Sequence, residues 1–257
     1  MTPRRQIDLN ADLGEGFGPW RMGDDAALLG IVTSASVACG GHAGDPDTMV
    51  ETLALARERG VSVGAHPGYA DRAGFGRRVI PMTATGIERM VATQIGALMG
   101  AAALAGVRVA YVKAHGALAN LAADDRMVAD AIARAVAAVS RDLAVLAISG
   151  TAQEAAAGAC GLAVYSEIFA DRAYLPDGRL VPRGVPGAVI GGEAAVDRLL
   201  GFLDSGLMPV LAGPAIPLAA HSVCLHGDGP GAVALARQLR AALAGAGIAV
   251  APFVAAG

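Results

Sequence analysis

Only one of the twenty Lys and Arg side chains in this sequence is a lysine, Lys113. It stands in Val112-Lys113-Ala114-His115-Gly116, where an apolar run stops. Arg fills every other cationic position, so the retained Lys suggests a task for a compact point charge that a wide, permanently charged fork does badly. Polar residues of similar promise gather in four other short segments. They are Asp8-Leu9-Asn10-Ala11-Asp12-Leu13-Gly14-Glu15, Cys39-Gly40-Gly41-His42-Ala43-Gly44-Asp45, His66-Pro67-Gly68 and His226-Gly227-Asp228. Carboxylates, imidazoles and an ammonium in these combinations transfer protons and stabilise charge developing on oxygen. Two adjacent guanidinium groups, Arg77 and Arg78, lie on the glycine-rich Gly74-Phe75-Gly76 loop and suit carboxylate or phosphate oxygens. The stretch from Glu167 through Arg172 to Tyr174 and Arg183 reads as a lid or a subunit contact. Trp20 and Met22 read as a pocket wall or, in preference, as core packing.

Several chemistries are excluded or left without support. A Walker A loop needs Gly-Lys, and the single Lys follows Val112. Gly14-Glu15-Gly16-Phe17-Gly18 lacks the frame of a dinucleotide-binding turn, and no GxSxG elbow occurs. Histidine and carboxylate ligands from separate strand ends would serve zinc or manganese. No HxxxH or HExxH pair occurs, however, and Lys113 would compete with a cation, so a bound divalent metal stays open.

The elements that must position these groups alternate. Runs with strand character fall at 7–10, 36–39, 61–65, 109–113, 143–148, 162–165 and 223–226, with a late one near 248–252. Helices lie between them. Asp45-Pro46 supplies an N-cap and a first-turn proline, and Met49, Leu53 and Ala56 follow on one face before Gly60. Thr85-Gly86-Ile87-Glu88 reads as a capping box for a helix ending at Gly106. Asp124 or Asp125 caps a helix with Val128, Ile132 and Val136 inward, Gly206 closes another, and Pro230 opens the last. About seven or eight β-then-α units suit a (β/α) barrel, incomplete or distorted, in one domain spanning 1–257; a doubly wound open sheet is the alternative. Both architectures place sites at the C-terminal ends of parallel strands, where four of the five histidines fall.

Composition agrees with buried parallel strands: 54% of residues are hydrophobic and only 17% charged. A net charge of -3 gives no sign of a nucleic-acid or anionic-membrane partner. No apolar run is long enough to span a bilayer. Three scattered cysteines and the lack of an apolar N-terminal run lead to the expectation of a cytoplasmic protein with reduced thiols.

Taken in order, these motifs resemble the LamB/YcsF family over nearly the whole chain. The likeness includes Asp8-Leu9-Asn10 with Asp12-Leu13-Gly14-Glu15, Ala38 to Asp45, Gly64-Ala65-His66-Pro67-Gly68 and Gly74 to Arg78. It continues through Gln94-Ile95-Gly96-Ala97-Leu98, Val112 to Leu118, Glu167 to Arg172 and His226-Gly227-Asp228. The chain departs from the family pattern at Ser36, Ala114 and Ala119, where members read Asn, Pro and Tyr. The resemblance implies a polysaccharide-deacetylase-like barrel. It also implies ATP-dependent opening of 5-oxoproline to glutamate together with 5-oxoprolinase subunits B and C, ATP being used with those partners. On that footing Asp12, with Glu15 as the alternative, is expected as base, Lys113 as the charge clamp, and His66 or His115 as proton donor. Asn10, Glu15, His42, Arg77, Arg78, His226 and Asp228 are expected around the substrate. Two rivals are a stand-alone metal-dependent amidase or deacetylase and a non-catalytic substrate-binding component. A homo-oligomer is compatible with either.

Overall fold

The computed structural model describes residues 6–225, 229 and 231–255; His226, Asp228 and Pro230 therefore lie outside the described residues. In chain order the elements are β1 (Gln6–Leu13), α1 (Asp25–Leu29), β2 (Ser34–Ala38), α2 (Pro46–Arg59), β3 (Ser62–His66), α3 (Ala84–Ala105), β4 (Val109–Val112), α4 (Gly116–Asp124) and α5 (Arg126–Val139). There follow β5 (Ala144–Ile148), α6 (Ala152–Ala159), β6 (Val164–Phe169), α7 (Gly192–Ser205), β7 (Leu207–Met208), β8 (Ile216–Pro217), β9 (Ser222–Leu225), α8 (Ala232–Gly245) and β10 (Ala249–Val250).

Strands β1 to β6 pair in parallel in chain order, β9 pairs with β6, and β9 also pairs with β1. That last pairing closes seven strands into a barrel and removes the open-sheet alternative. Short β10 adds to the start of β1, outside the ring. The seventh unit is interrupted: between β6 and β9 lie α7 and a small antiparallel pair, β7 with β8.

Alternation along β1 explains how a barrel can carry a site inside. Successive side chains of a strand point to opposite faces. Ile7, Leu9, Ala11 and Leu13 join the main apolar core, whereas Asp8 and Asn10 bond to polar side chains of other strands. The helices cover the apolar face. On α2, Met49, Leu53 and Ala56 are buried, Asp45 accepts from Thr48 N, and Gly60 ends the helix in the left-handed region. On α5, Asp125 rather than Asp124 is the cap, with Val128, Ile132 and Val136 buried.

Four expectations are corrected. The cap of α3 is Thr83, accepting from Gly86 N, so Thr85 sits within the first turn. The sixth strand runs to Phe169, beyond the expected end at 165, because the charged Glu167 finds its partners inside the barrel. Glu167 is thus a strand residue and no part of a lid. Trp20 is 67% exposed and stacks on Phe17, so it packs no core.

Candidate active site at the barrel mouth

Lys113 follows β4 directly, and its ammonium enters the ring of strands. Nζ donates to Asn10 Oδ1 at 2.9 Å, Asp12 Oδ1 at 2.8 Å and Cys224 Sγ at 3.0 Å, and pairs with Glu167 Oε1 at 2.7 Å. These partners come from β1, β6 and β9, so the barrel is braced across its interior by one cation. Burial acts most strongly on Lys113 and opposes its charge, but Asp12, Cys224 and Glu167 together hold its pKa well above the ordinary lysine value. It is a fixed positive charge. The neighbouring Cys224 thiol is pushed well up by burial, against the pull of Lys113.

Asn10 Nδ2 donates to Glu167 Oε1 at 2.9 Å and to Ser222 Oγ at 2.7 Å. With its oxygen on Lys113, every polar atom of the Asn10 amide is spent on the brace. Asn10 positions the ammonium, which differs from the substrate contact expected for it.

Beside this brace lies a histidine cluster. His66 ends β3, and His115 and His42 lie on the loops after β4 and β2. His66 Nδ1 donates to the Lys113 carbonyl at 2.7 Å, and His115 Nε2 donates to the Phe75 carbonyl at 2.8 Å. The other two nitrogens of these rings face each other at 3.0 Å. Asp12 Oδ2 is 3.3 Å from His66 Nε2, and Glu15 Oε1 is 3.6 Å from His115 Nδ1. His42 Nε2 reaches Glu15 Oε1 at 3.0 Å while its ring stacks on His115 with centroids 3.6 Å apart. Burial, reinforced by His66, lowers the pKa of His115 to about 3. Burial, then His115 and His66, holds His42 well below its usual value. A neutral His115 has its single proton directed at the Phe75 carbonyl and none on the side facing Glu15.

Two loop contacts keep this geometry. Gln94 on α3 accepts from Gly68 N at 3.0 Å and donates to Gly68 O at 2.7 Å, clamping the turn after His66. Gly76 has φ +61°, and a Cβ there would stand 2.7 Å from His42 Cβ and 2.8 Å from His115 Cδ2. Only glycine lets that loop close over the imidazole stack.

A cavity of about 650 Å³ opens above these groups, with Asp12, Glu15, His66, Lys113, His115 and Glu167 in its lining. Arg77 also lines it, and its guanidinium lies 5.0 Å from the Phe75 ring centroid. Arg78 turns away and pairs with Asp71. Three arginines outside the expected set, Arg172, Arg179 and Arg183, also line the cavity. Arg172 is buried and donates to the carbonyls of Val181 and Ala188. Ala114 and Ala119, two of the departures from the family pattern, line the same cavity, whereas Ser36 bonds to Tyr111 inside the barrel. Glu167 and Cys224 were missed by sequence reasoning. Glu167 offered a signal, a carboxylate within one of the motifs, but Cys224 offered none beyond standing two residues before His226.

Comparison with known proteins agrees along the full length. A family model described as "LamB/YcsF family" matches residues 7–256. A protein of Nitrobacter hamburgensis, named as the A subunit of 5-oxoprolinase, is 52% identical over 249 residues, covering 96% of this chain and 98% of that one. One of the same name from Rhodopseudomonas palustris is 53% identical over the same shares. The crystal structure of a lactam utilization protein from Thermus thermophilus superposes with a TM-score of 0.90 at 40% identity, covering 96% of this chain and 99% of the other.

Proposed function

The chain belongs to the LamB/YcsF family, and from that membership and the groups at the barrel mouth we propose that it is a hydrolase opening the lactam of 5-oxoproline to glutamate. In this reading it acts as the A subunit of an ATP-dependent 5-oxoprolinase in the cytoplasm, as one domain, with subunits B and C. The absence of a Walker A sequence supports placing ATP use on the partners, which would hand this chain an activated lactam. The observation that carries the reading is Lys113 Nζ, buried and fixed between Asp12 and Glu167 at the floor of a cavity.

The chemistry follows from charge. The activated lactam carries a phosphoryl group on its carbonyl oxygen; water adds to that carbon, and Asp12 takes its proton. Negative charge on the substituent oxygens is stabilised by the preorganised ammonium without reorganising solvent. The ring C–N bond breaks as Asp12 returns the proton to the departing nitrogen, leaving an acyl phosphate that a second water hydrolyses to glutamate and inorganic phosphate. Arg77, with Arg172 and Arg183 in the same cavity lining, faces the substrate carboxylate or a phosphoryl group. His226 and Asp228 keep their expected place near the substrate as part of this proposal.

The test is reconstitution of the purified chain with subunits B and C, ATP and 5-oxoproline, with glutamate as the readout. Glutamate is expected only from the complete mixture, and Asp12→Asn should lower turnover by roughly a hundredfold or more. Wild-type rates from folded Asp12→Asn would remove Asp12 from the chemistry. Rapid ATP-independent hydrolysis by the chain alone would favour the stand-alone amidase.

A further inference from the structure

His66 Nε2 and His115 Nδ1 meet at 3.0 Å, while the second nitrogen of each ring donates to a backbone carbonyl. The facing nitrogens are therefore the ones each ring has left to offer a ligand. Carboxylate oxygens of Asp12 and Glu15 approach the same point, at 3.3 Å and 3.6 Å. Lys113 is no competitor for a cation at the histidines, because Asn10, Asp12, Glu167 and Cys224 hold its ammonium to one side.

We propose that His66 Nε2, His115 Nδ1 and Glu15 Oε1 bind one divalent first-row transition metal, of the zinc class, at the floor of the cavity. The His66–His115 and His115–Glu15 separations of 3.0 Å and 3.6 Å bracket the spacing of about 3.3 Å between ligand atoms around tetrahedral zinc, with bonds of about 2.0–2.1 Å. Ligating atoms of Glu15, His42, His66 and His115 all lie within 4.8 Å of one another. The outer partners fit as well. A ligating histidine donates its second N–H to a fixed acceptor, and His66 and His115 do so to the carbonyls of Lys113 and Phe75. His42 lacks this mark: its buried Nδ1 has no hydrogen-bond partner among the described residues. It is accordingly a positioning residue, donating through Nε2 to Glu15. Two imidazoles, one carboxylate and an open coordination position form the ligand pattern of catalytic zinc, which generates hydroxide near neutral pH. Binding stands independently of the lactam reading; only its catalytic use rests on that reading.

The test uses the full chain, stripped with a chelator and titrated with Co²⁺ and then Zn²⁺. One equivalent of Co²⁺ should bind with the visible absorption of a low-coordinate site and be displaced by Zn²⁺. His66→Ala and His115→Ala should each weaken binding by more than the roughly 10–100-fold expected of His42→Ala. His221→Ala, altered at the opposite barrel end, should bind as wild type. Circular dichroism checks that each variant is folded, and the wild-type titration decides independently of all variants. Absence of saturable binding by wild type would overturn the site, as would binding retained in folded His66→Ala and His115→Ala. Stoichiometric binding without glutamate formation in the reconstituted mixture would uphold the site and sink the lactam reading alone.

Discussion

At the scale of single residues, Lys113 is held by shape as much as by charge. Its ammonium occupies a point 2.7–3.0 Å from four partner atoms, and the residue is 4% exposed. A guanidinium carries the charge but not the size, so Lys113→Arg is not conservative at this position. Lys113→Met removes the charge and leaves Asp12 and Glu167 buried without their shared cation, which should cost about 3–5 kcal/mol. Urea unfolding is expected to register that loss. Turnover should fall by about a hundredfold or more in both variants, and an active Lys113→Arg enzyme would show that charge alone suffices.

At the scale of elements, β1 carries its polar groups on the barrel side at two depths. Asp12 reaches the cavity, while Asp8 lies lower, accepting from Thr33, Ser34 and Ser222. Burial raises the Asp8 pKa to about 6, even though those three hydroxyl donors pull it down. The folded chain therefore binds this proton more tightly than the unfolded chain, whose carboxyl titrates at its ordinary 3.8. The resulting stability is fully present below pH 3.8 and is lost as pH rises through 6. About two pKa units correspond to about 3 kcal/mol. Asp8→Asn should remove this slope. The measurement is the difference in unfolding free energy between wild type and variant across that window, in which the other titrating groups cancel; a constant difference would contradict the assignment.

At the scale of the whole molecule, the two barrel ends do different work. The upper end holds the site. At the lower end Phe253 packs at 4.9 Å between ring centroids against both Tyr111 and Tyr165, over a second and smaller cavity. Phe253→Ala should cost up to about 3 kcal/mol, less than a fully buried Phe because the ring is only half-buried. Distant sites add independently, so the variant should melt earlier while keeping the activity and metal affinity of wild type at 25 °C. Loss of activity in the folded variant would mean that the floor supports the mouth more directly than its contacts suggest.

Local signals in the chain were enough for the repeating strand-then-helix order, for the caps at Asp45 and Gly60, and for gathering Asp12, His42, His66, Lys113 and His115 at strand ends. Each depends on neighbours a few residues apart. What they missed depends on ring closure. Glu167 resembles a loop residue until β6 pairs with β9 and brings Asn10 and Lys113 within reach. Arg77 and Arg78 are equivalent in sequence, but one faces the cavity and the other Asp71. The nitrogen that each histidine offers was set by carbonyls of Lys113 and Phe75, 47 and 40 positions away along the chain. Residue types and their order thus determined the family and the kind of chemistry. Only tertiary structure decided which atoms face one another, because that depends on strand register and barrel closure, which couple segments far apart in the chain.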